Sequence, residues 1–268
     1  WERYFDPFLD GGIHRESLLD LGIACDEIGF ALDPGATVPL DRLVAMVLEH
    51  SDNPGADLLL ERVGERRLRE TFRAARLLRQ ELPISFVGLR LLVVNHEIGV
   101  ATTGRLRELA GLSRGELRSR ARAWARRYAE DQAFRLAEWQ WWATAAPEPP
   151  AGLLARAVEE TMPRGTAREY AALLARAATG RLISPAISEI VLSHLSWPLE
   201  NPDLAAKFAR FGAKGGSIQG VVTDGFVTVP KAGPYAGRTR LTVVFFRHLP
   251  NAVYQLFEET SVHQVFLL

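Results

Sequence analysis

The chain has 268 residues, enough for a sizeable core and one or two domains. Its residues are 47% hydrophobic and 24% charged, ordinary for a globular protein, and 32 basic residues balance 32 acidic ones. The charge balance excludes a global field that would gather nucleic acid or an anionic membrane. A single cysteine, Cys25, excludes an intrachain disulfide and a cysteine-based metal site.

The six histidines (14, 50, 96, 194, 248 and 263) form neither an HxxxH nor an HxH pattern, which argues against zinc. No apolar run reaches the ~18 residues that span a bilayer. The basic side is almost all arginine, with lysine only at 207, 214 and 231. The opening "WERYFDPFLD" has no signal-peptide pattern and does not reveal a compartment.

Residues 1–37 read as irregular, with "DGG" and "DPGAT" as turn signals. "TVPLDRLVAMVLEH" predicts a helix with Thr37 as N-cap and Leu40, Leu43, Val44 and Val47 on one face. The apolar stripe resumes at Leu58, Leu59, Leu60 and Val63 in "GADLLLERVGERRLRETFRAARL", which predicts one or two further helices. Between them stands Ser51-Asp52-Asn53, followed by Pro54 and Gly55, where a helix tolerates polar residues least. Asp and Asn side chains compete for backbone hydrogen bonds and favour turns and caps. The triplet is therefore a helix–helix junction or a group pointing into a cleft.

"FVGLRLLVVNHEIGV" suits a buried helix or a strand, and periodicity does not decide between them. From Thr102 to Ala146 the pattern is strongly helical. It carries a dense arginine run at 105, 107, 114, 118, 120, 122, 126 and 127. A nucleic-acid patch is one reading; a solvated face interleaved with Glu108, Glu116, Glu130 and Asp131 is the favoured one. Trp139, Trp141 and Trp142 read as core facing a neighbour. "APEPPAG" breaks the chain, and "GTAREYAALLARAATGRLIS" predicts a helix closed by Gly180 as a C-cap.

The last third changes character. "GGSIQGVVTDGFVTVP" and "GRTRLTVVFFRH" are rich in Val, Thr and Phe with turn signals between, a β-hairpin pattern, and "LPNAVYQLFEETSVHQVF" predicts a terminal helix. Helices, then strands, then a helix predict an α+β chain. The expected division is a mostly helical part over 1–205, with an enlarged helical insertion at about 71–150, and strands with a C-terminal helix over 206–268.

Lys214 opens the first strand in "FGAKGGSIQG". Gly215 and Gly216 would let another group approach the strand backbone, although an edge-strand lysine that deters aggregation has the same appearance. A helical "SDN" followed by a strand "KGG" resembles the penicillin-recognising serine hydrolases, the class A β-lactamases and their D-alanyl-D-alanine peptidase relatives. "VPLDRLVAMVLEHSDNPGADLLLERVG" and "ETMPRGTAREYAALLARAATGRLIS" carry the likeness further. It covers residues 38–70 and 158–265, roughly half the chain. The resemblance implies a β-lactamase/DD-peptidase-like α+β fold, with a helical domain packed on an antiparallel sheet flanked by helices. "SDN" then lines a cleft between the two halves.

The implied reaction is acyl transfer from an amide or ester (a β-lactam, or a D-Ala-D-Ala-type peptide or ester) to a serine, followed by hydrolysis, with no metal or organic cofactor. Such a serine needs a base, a proton route to the leaving group and donors for the oxyanion. By resemblance, Ser51 shuttles a proton to the leaving group. Lys214 holds positive charge beside it and attracts a substrate carboxylate. Asn53 bonds a substrate amide, and Asp52 points away and holds the turn through backbone hydrogen bonds. Gly215, Gly216 and Ser217 receive the substrate, the Ser217 N–H serving as an oxyanion donor.

Three departures stand out. No Ser-x-x-Lys occurs, the nearest approach being Ser119 with Arg122. The nucleophile and two further strands are therefore expected upstream of Trp1; the alternative is a non-catalytic binding protein that has lost the nucleophile. For a deacylating glutamate the sequence offers only Glu148, without the family's Leu-Asn signature. Gly215 replaces a hydroxyl residue that helps bind a substrate carboxylate, a role Ser217 could take over. Expected partners are a small-molecule or peptide substrate and no nucleic acid. The helices of 71–150 could cap the cleft, bind a partner domain or form a homodimer. The resemblance implies a bacterial envelope or secreted location, with the cytoplasm left open.

Overall fold

The computed structural model describes residues 2–10, 12–33, 35–144 and 152–261. Its contacts gather into two compact units, Trp1–Glu65 with Leu82–Pro163, and Arg66–Glu81 with Arg164–Leu268. The chain is α+β: helices and one antiparallel sheet.

Among the described residues of the first unit the regular elements are helices, joined by isolated β-bridges between Cys25 and Ala31 and between Asn95 and Gly99. Where irregular chain was expected, a 3-10 turn (Glu2–Tyr4) leads into α1 (Pro7–Asp10) and α2 (Ile13–Asp20). Asp6 Oδ1 accepts the Phe8 N–H at 3.1 Å, and Pro7 occupies the first helical position, where its missing N–H costs nothing. Helix α3 (Leu40–Glu49) buries Leu43 and Met46. It starts after Pro39, not at Thr37, because proline disfavours helical backbone at Val38 before it.

Helix α4 (Asn53–Ala74) is broken at Gly64, with φ 72° and ψ 155°, a conformation that suits glycine. The boundary between the units follows one residue later. Helix α5 (Phe86–Val93) settles the helix-or-strand ambiguity and buries six of its eight residues. Its N-terminal donors are capped: Ser85 Oγ accepts from Gly88 at 3.0 Å, and Asp57 accepts from Phe86 at 2.8 Å and Val87 at 3.0 Å.

Helices α6 (Thr103–Ala110), α7 (Arg114–Glu130), α8 (Gln132–Thr144) and α9 (Leu153–Thr161) complete the unit. A Cβ at Gly88 would lie 2.1 Å from the Ala121 carbonyl oxygen, so α5 and α7 meet backbone to backbone. Val87, Leu91, Ala125, Tyr128 and Phe134 fill one core cluster there.

The arginine run is largely a set of staples. Arg126 bonds Glu61 at 3.0 Å, Arg122 bonds Glu65 at 3.2 Å, and Arg105 donates to the Leu92 carbonyl at 3.1 Å. Arg127 bonds Glu97 at 2.7 Å. Of the acids expected to interleave, Glu108 pairs with Arg105, while Glu116 closes a capping box with Ser113. Trp139 packs on Phe30 with ring centroids 4.6 Å apart, and Trp142 donates to the buried Glu138 at 2.9 Å. No described helix is long and apolar enough to cross a membrane.

The second unit holds the end of α4, α10 (Ala167–Ala178), α11 (Pro185–Leu195), a 3-10 turn (Trp197–Glu200) and α12 (Pro202–Lys207). Gly180 closes α10 with φ 70°, as expected of a C-cap glycine. Strands β1 (Phe208–Ile218), β2 (Val221–Pro230) and β3 (Arg240–Phe246) pair antiparallel in the order β1-β2-β3. Helix α13 (Asn251–Thr260) follows, and the rest of the expected terminal helix, after Ser261, lies outside the described residues.

Cross-strand partners share a face. Leu195 lies against Gly212 and Leu174 against Gly225 on one face. Phe211, Ala213 and Phe226 gather Trp197, Leu199 and Leu204 on the other. Helices thus flank the sheet.

Candidate active site

In the first unit, His50, Ser51 and Asp52 join α3 to α4, and Asn53 opens α4. His50 ends α3 with helical backbone, and Ser51 then turns left-handed at φ 63°. Such a conformation costs a non-glycine residue about 1 kcal/mol or more and persists where surrounding contacts enforce it. Asp52 is that enforcement. Fully buried, it accepts the Gly55 N–H on Oδ1 at 2.6 Å, and its Oδ2 lies 2.7 Å from His14 Nδ1. The expected role of Asp52, holding the turn through backbone hydrogen bonds, is what the geometry gives.

Gly55 allows this closeness: a Cβ there would meet Val47 Cγ2 at 2.7 Å and Asp52 Oδ1 at 2.8 Å. With Asp52 fully buried, Ser51 and Asn53 on either side of it in sequence are half-buried.

Beneath the triplet lies a polar layer that sequence reasoning missed. His14 is fully buried against Phe5, with ring centroids 4.5 Å apart. Asp10 is 2% exposed; its Oδ2 accepts the Asp6 N–H at 3.2 Å, and the Asn53 side chain adjoins it. Burial pushes the Asp10 carboxyl up to about 8, against the pull of the Asn53 and Asp6 hydrogen bonds, with the Asp6 and Asp52 charges adding to the rise. Asp6 is raised too, by burial first, while its ion pair with Arg90 pulls it down. Asp57, one turn into α4, is raised to about 6 by burial despite three hydrogen bonds. The available signal was "FDPFLDGGIH": an Asp-Pro helix start and two acids spaced one turn apart.

In the second unit, Lys214 is half-buried on β1, and its Nζ donates to the Gly215 carbonyl at 2.8 Å. Burial lowers its pKa below the usual lysine range, and the Asp224 carboxylate partly restores it. Gly215 pairs with Asp224 and Gly216 with Thr223 across β1 and β2. A Cβ at Gly215 would sit 2.7 Å from Asp224 Oδ1. The Ser217 hydroxyl donates to Glu258 Oε2 on α13 at 2.9 Å and is thereby engaged within the unit. Ser51 and Asn53 thus belong to the first unit and Lys214, Gly215, Gly216 and Ser217 to the second; Glu148 lies outside the described residues.

Among the described residues, Asp20, Glu49 and His50 have donor atoms within 4.8 Å of one another. They are partly exposed, and a 2.6 Å contact between His50 Nε2 and Asp20 Oδ2 satisfies two of them without an ion.

The model of the family described as "Beta-lactamase enzyme family" matches residues 26–242, a stretch that contains both triplets. No curated protein matches the chain. Among solved structures it is similar to a beta-lactamase from Sphaerobacter thermophilus DSM 20745, with TM-score 0.48 and 18% identity, over 92% of this chain and 75% of that one. It is also similar to PBP-A, including a mutant in an acyl-enzyme complex with penicillin G, with TM-score 0.44 and 14% identity, over 94% and 82%.

Proposed function

Since the chain belongs to the beta-lactamase enzyme family, within the β-lactamase-like serine hydrolases, we propose that it moves the acyl group of an amide or ester to a serine and releases it by hydrolysis. The observation that carries this reading is the Ser51–Asp52–Asn53 junction. A buried, doubly bonded Asp52 holds Ser51 in a left-handed conformation that the chain would not adopt unaided.

In this reading the acceptor serine precedes Trp1, since residues 1–268 hold no Ser-x-x-Lys. Acylation expels an amine or alkoxide, which must take a proton. Ser51 Oγ relays to it the proton that the attacking serine gives up, and Lys214 supplies the positive charge that eases the transfer. The half-buried Lys214, its pKa lowered by burial, holds its proton less tightly than a solvated lysine, which suits that work. Asn53 bonds the substrate amide, with Asp10 beside its side chain. Gly215 and Gly216 admit the substrate along β1, and the Ser217 N–H stabilises the oxyanion. Glu148 is the proposed activator of the deacylating water.

The test is labelling of the whole protein with a fluorophosphonate and with penicillin, read as intact mass. A gain of one adduct, reduced at least tenfold in rate by Ser51→Ala or Lys214→Met, supports the proposal. Ser51→Ala and Lys214→Met should also be strongly non-additive, because groups serving one proton transfer fail together. Saturable binding of a penicillin without any adduct would instead favour the non-catalytic binding protein.

A further inference from the structure

Beside Asn53 stands a buried acid whose hydrogen bonding is only half accounted for. Asp10 ends α1 and is 2% exposed. Its Oδ2 accepts the Asp6 N–H at 3.2 Å, which fixes the carboxyl from within its own helix. Its Oδ1 is buried and, among the described residues, has no partner within ordinary hydrogen-bond distance. Buried polar oxygens are seldom left in that state, because an unmet acceptor costs free energy. Burial raises the carboxyl, and the Asn53 side chain adjoining it pulls the other way, as a hydrogen-bond donor does.

A carboxamide turns about two side-chain bonds, so a half-buried Asn53 faces a substrate in one orientation only if a fixed neighbour holds it there. Asp10 is such a neighbour. Hydrogen bonds of this kind are commonly long without substrate and shorten when it binds. The same short segment supports the triplet twice, since His14 on α2 lies 2.7 Å from Asp52 Oδ2 while Asp10 adjoins Asn53. Both precede residues 26–242, the stretch that matches the family model, so this support is built from outside the match.

We propose that Asp10 is a positioning residue: it accepts an N–H of the Asn53 carboxamide and so fixes Asn53 in the orientation that bonds the substrate amide. This rests on the reading of the chain as an acyl-transferring serine hydrolase. Asp10 reaches the substrate only through Asn53, so its influence is confined to substrates that carry the amide. An acid that merely held the fold together would affect every substrate alike.

The test uses the full protein and two esters with the same leaving group, one carrying an amide beside the scissile carbonyl and the other a methylene chain in its place. Acylation is followed by intact mass, and a fluorophosphonate, which has no such amide, reports separately on the nucleophile. Asp10→Ala should lower the rate of the amide ester about tenfold, as for the loss of one hydrogen bond, and slow the other two reagents far less. Asp10→Asn, which keeps an acceptor oxygen, should recover most of that loss. Asn53→Ala should remove the same preference for the amide ester, and adding Asp10→Ala to it should cost little more. Asp10→Ala slowing all three reagents alike, or Asp10→Asn recovering nothing, overturns the inference and leaves the hydrolase standing. If Asp10→Ala does not fold, hydrogen exchange of the Asn53 side-chain amide in the parent, read by NMR, decides. One proton slowed about tenfold against free asparagine supports the inference, and two protons exchanging at the free rate overturn it. A parent that forms no fluorophosphonate adduct removes the hydrolase reading and the inference with it.

Discussion

Replacing Asp10 by Asn should flatten the pH dependence of stability between pH 6 and 8. The folded-state carboxyl, raised by burial from 3.8 to about 8, stays protonated where the unfolded chain has ionised. Over that window the folded protein binds one more proton than the unfolded one, so stability is fully present below pH 4 and is lost as pH rises towards 8. The slope is about 1.4 kcal/mol per pH unit, and over about four pH units the loss comes to about 5 kcal/mol. Asp57 titrates up to about 6 and contributes to the lower half of the range only.

The amide of Asn is uncharged throughout, keeps the size of Asp, and can still meet Asn53 and the Asp6 N–H. The variant should match the parent at or below pH 4 and exceed it by several kcal/mol at pH 8. Urea unfolding followed by tryptophan fluorescence reads this directly, because Trp124, Trp139, Trp141 and Trp142 all lie in the first unit with Asp10. Parallel stability profiles for parent and variant, or a variant weaker than the parent at pH 8, would refute the burial argument.

Ser51→Gly should raise the stability of the first unit by about 1 kcal/mol by relieving the left-handed strain, while acylation slows; a melting temperature that falls would show that the Ser51 side chain, not Asp52, holds the turn. Gly88→Ala should cost about 3 kcal/mol or more and leave little folded protein, since the new methyl group would press on the Ala121 carbonyl; a well-folded variant by circular dichroism would contradict the close α5–α7 approach. Gly215→Ser should destabilise the second unit by about 1–3 kcal/mol alone but much less beside Asp224→Gly, a coupling that a double-mutant cycle in urea measures. Arg127→Ala should cost less than about 1 kcal/mol despite its pairing with Glu97, because both groups are exposed.

What could be read from the sequence was what depends on near neighbours. The strands, their hairpin, the C-cap at Gly180 and the turn held by Asp52 all follow from residues within a few positions of one another. The ambiguous stretch at Phe86–Val93 became a helix because Asp57, about thirty residues earlier, caps its first N–H groups, and no local pattern carries that information. Thr37 does not serve as the N-cap because the backbone limit set by Pro39 outweighs the hydroxyl's preference. The first helices leave little periodic signal because α1 and α2 are four and eight residues long, too short to stand without tertiary contacts.

The layer under Ser51 shows why the missed and the recognised parts belong together. Asp6, Asp10 and His14 are polar residues buried at a cost that only packing can offset, and a chain under selection for stability alone would replace them with apolar ones. They sit below a serine held against its own backbone preference and an asparagine that adjoins one of them. Local rules are broken together at one junction, and the compensating bonds converge on Asp52 and its neighbours. Concentrated departures of this kind support the proposed placing of chemistry at this junction. Asp224 and Gly215 on the sheet repeat the pattern: an acid buried beside a lysine, and a glycine whose absent side chain makes room for it.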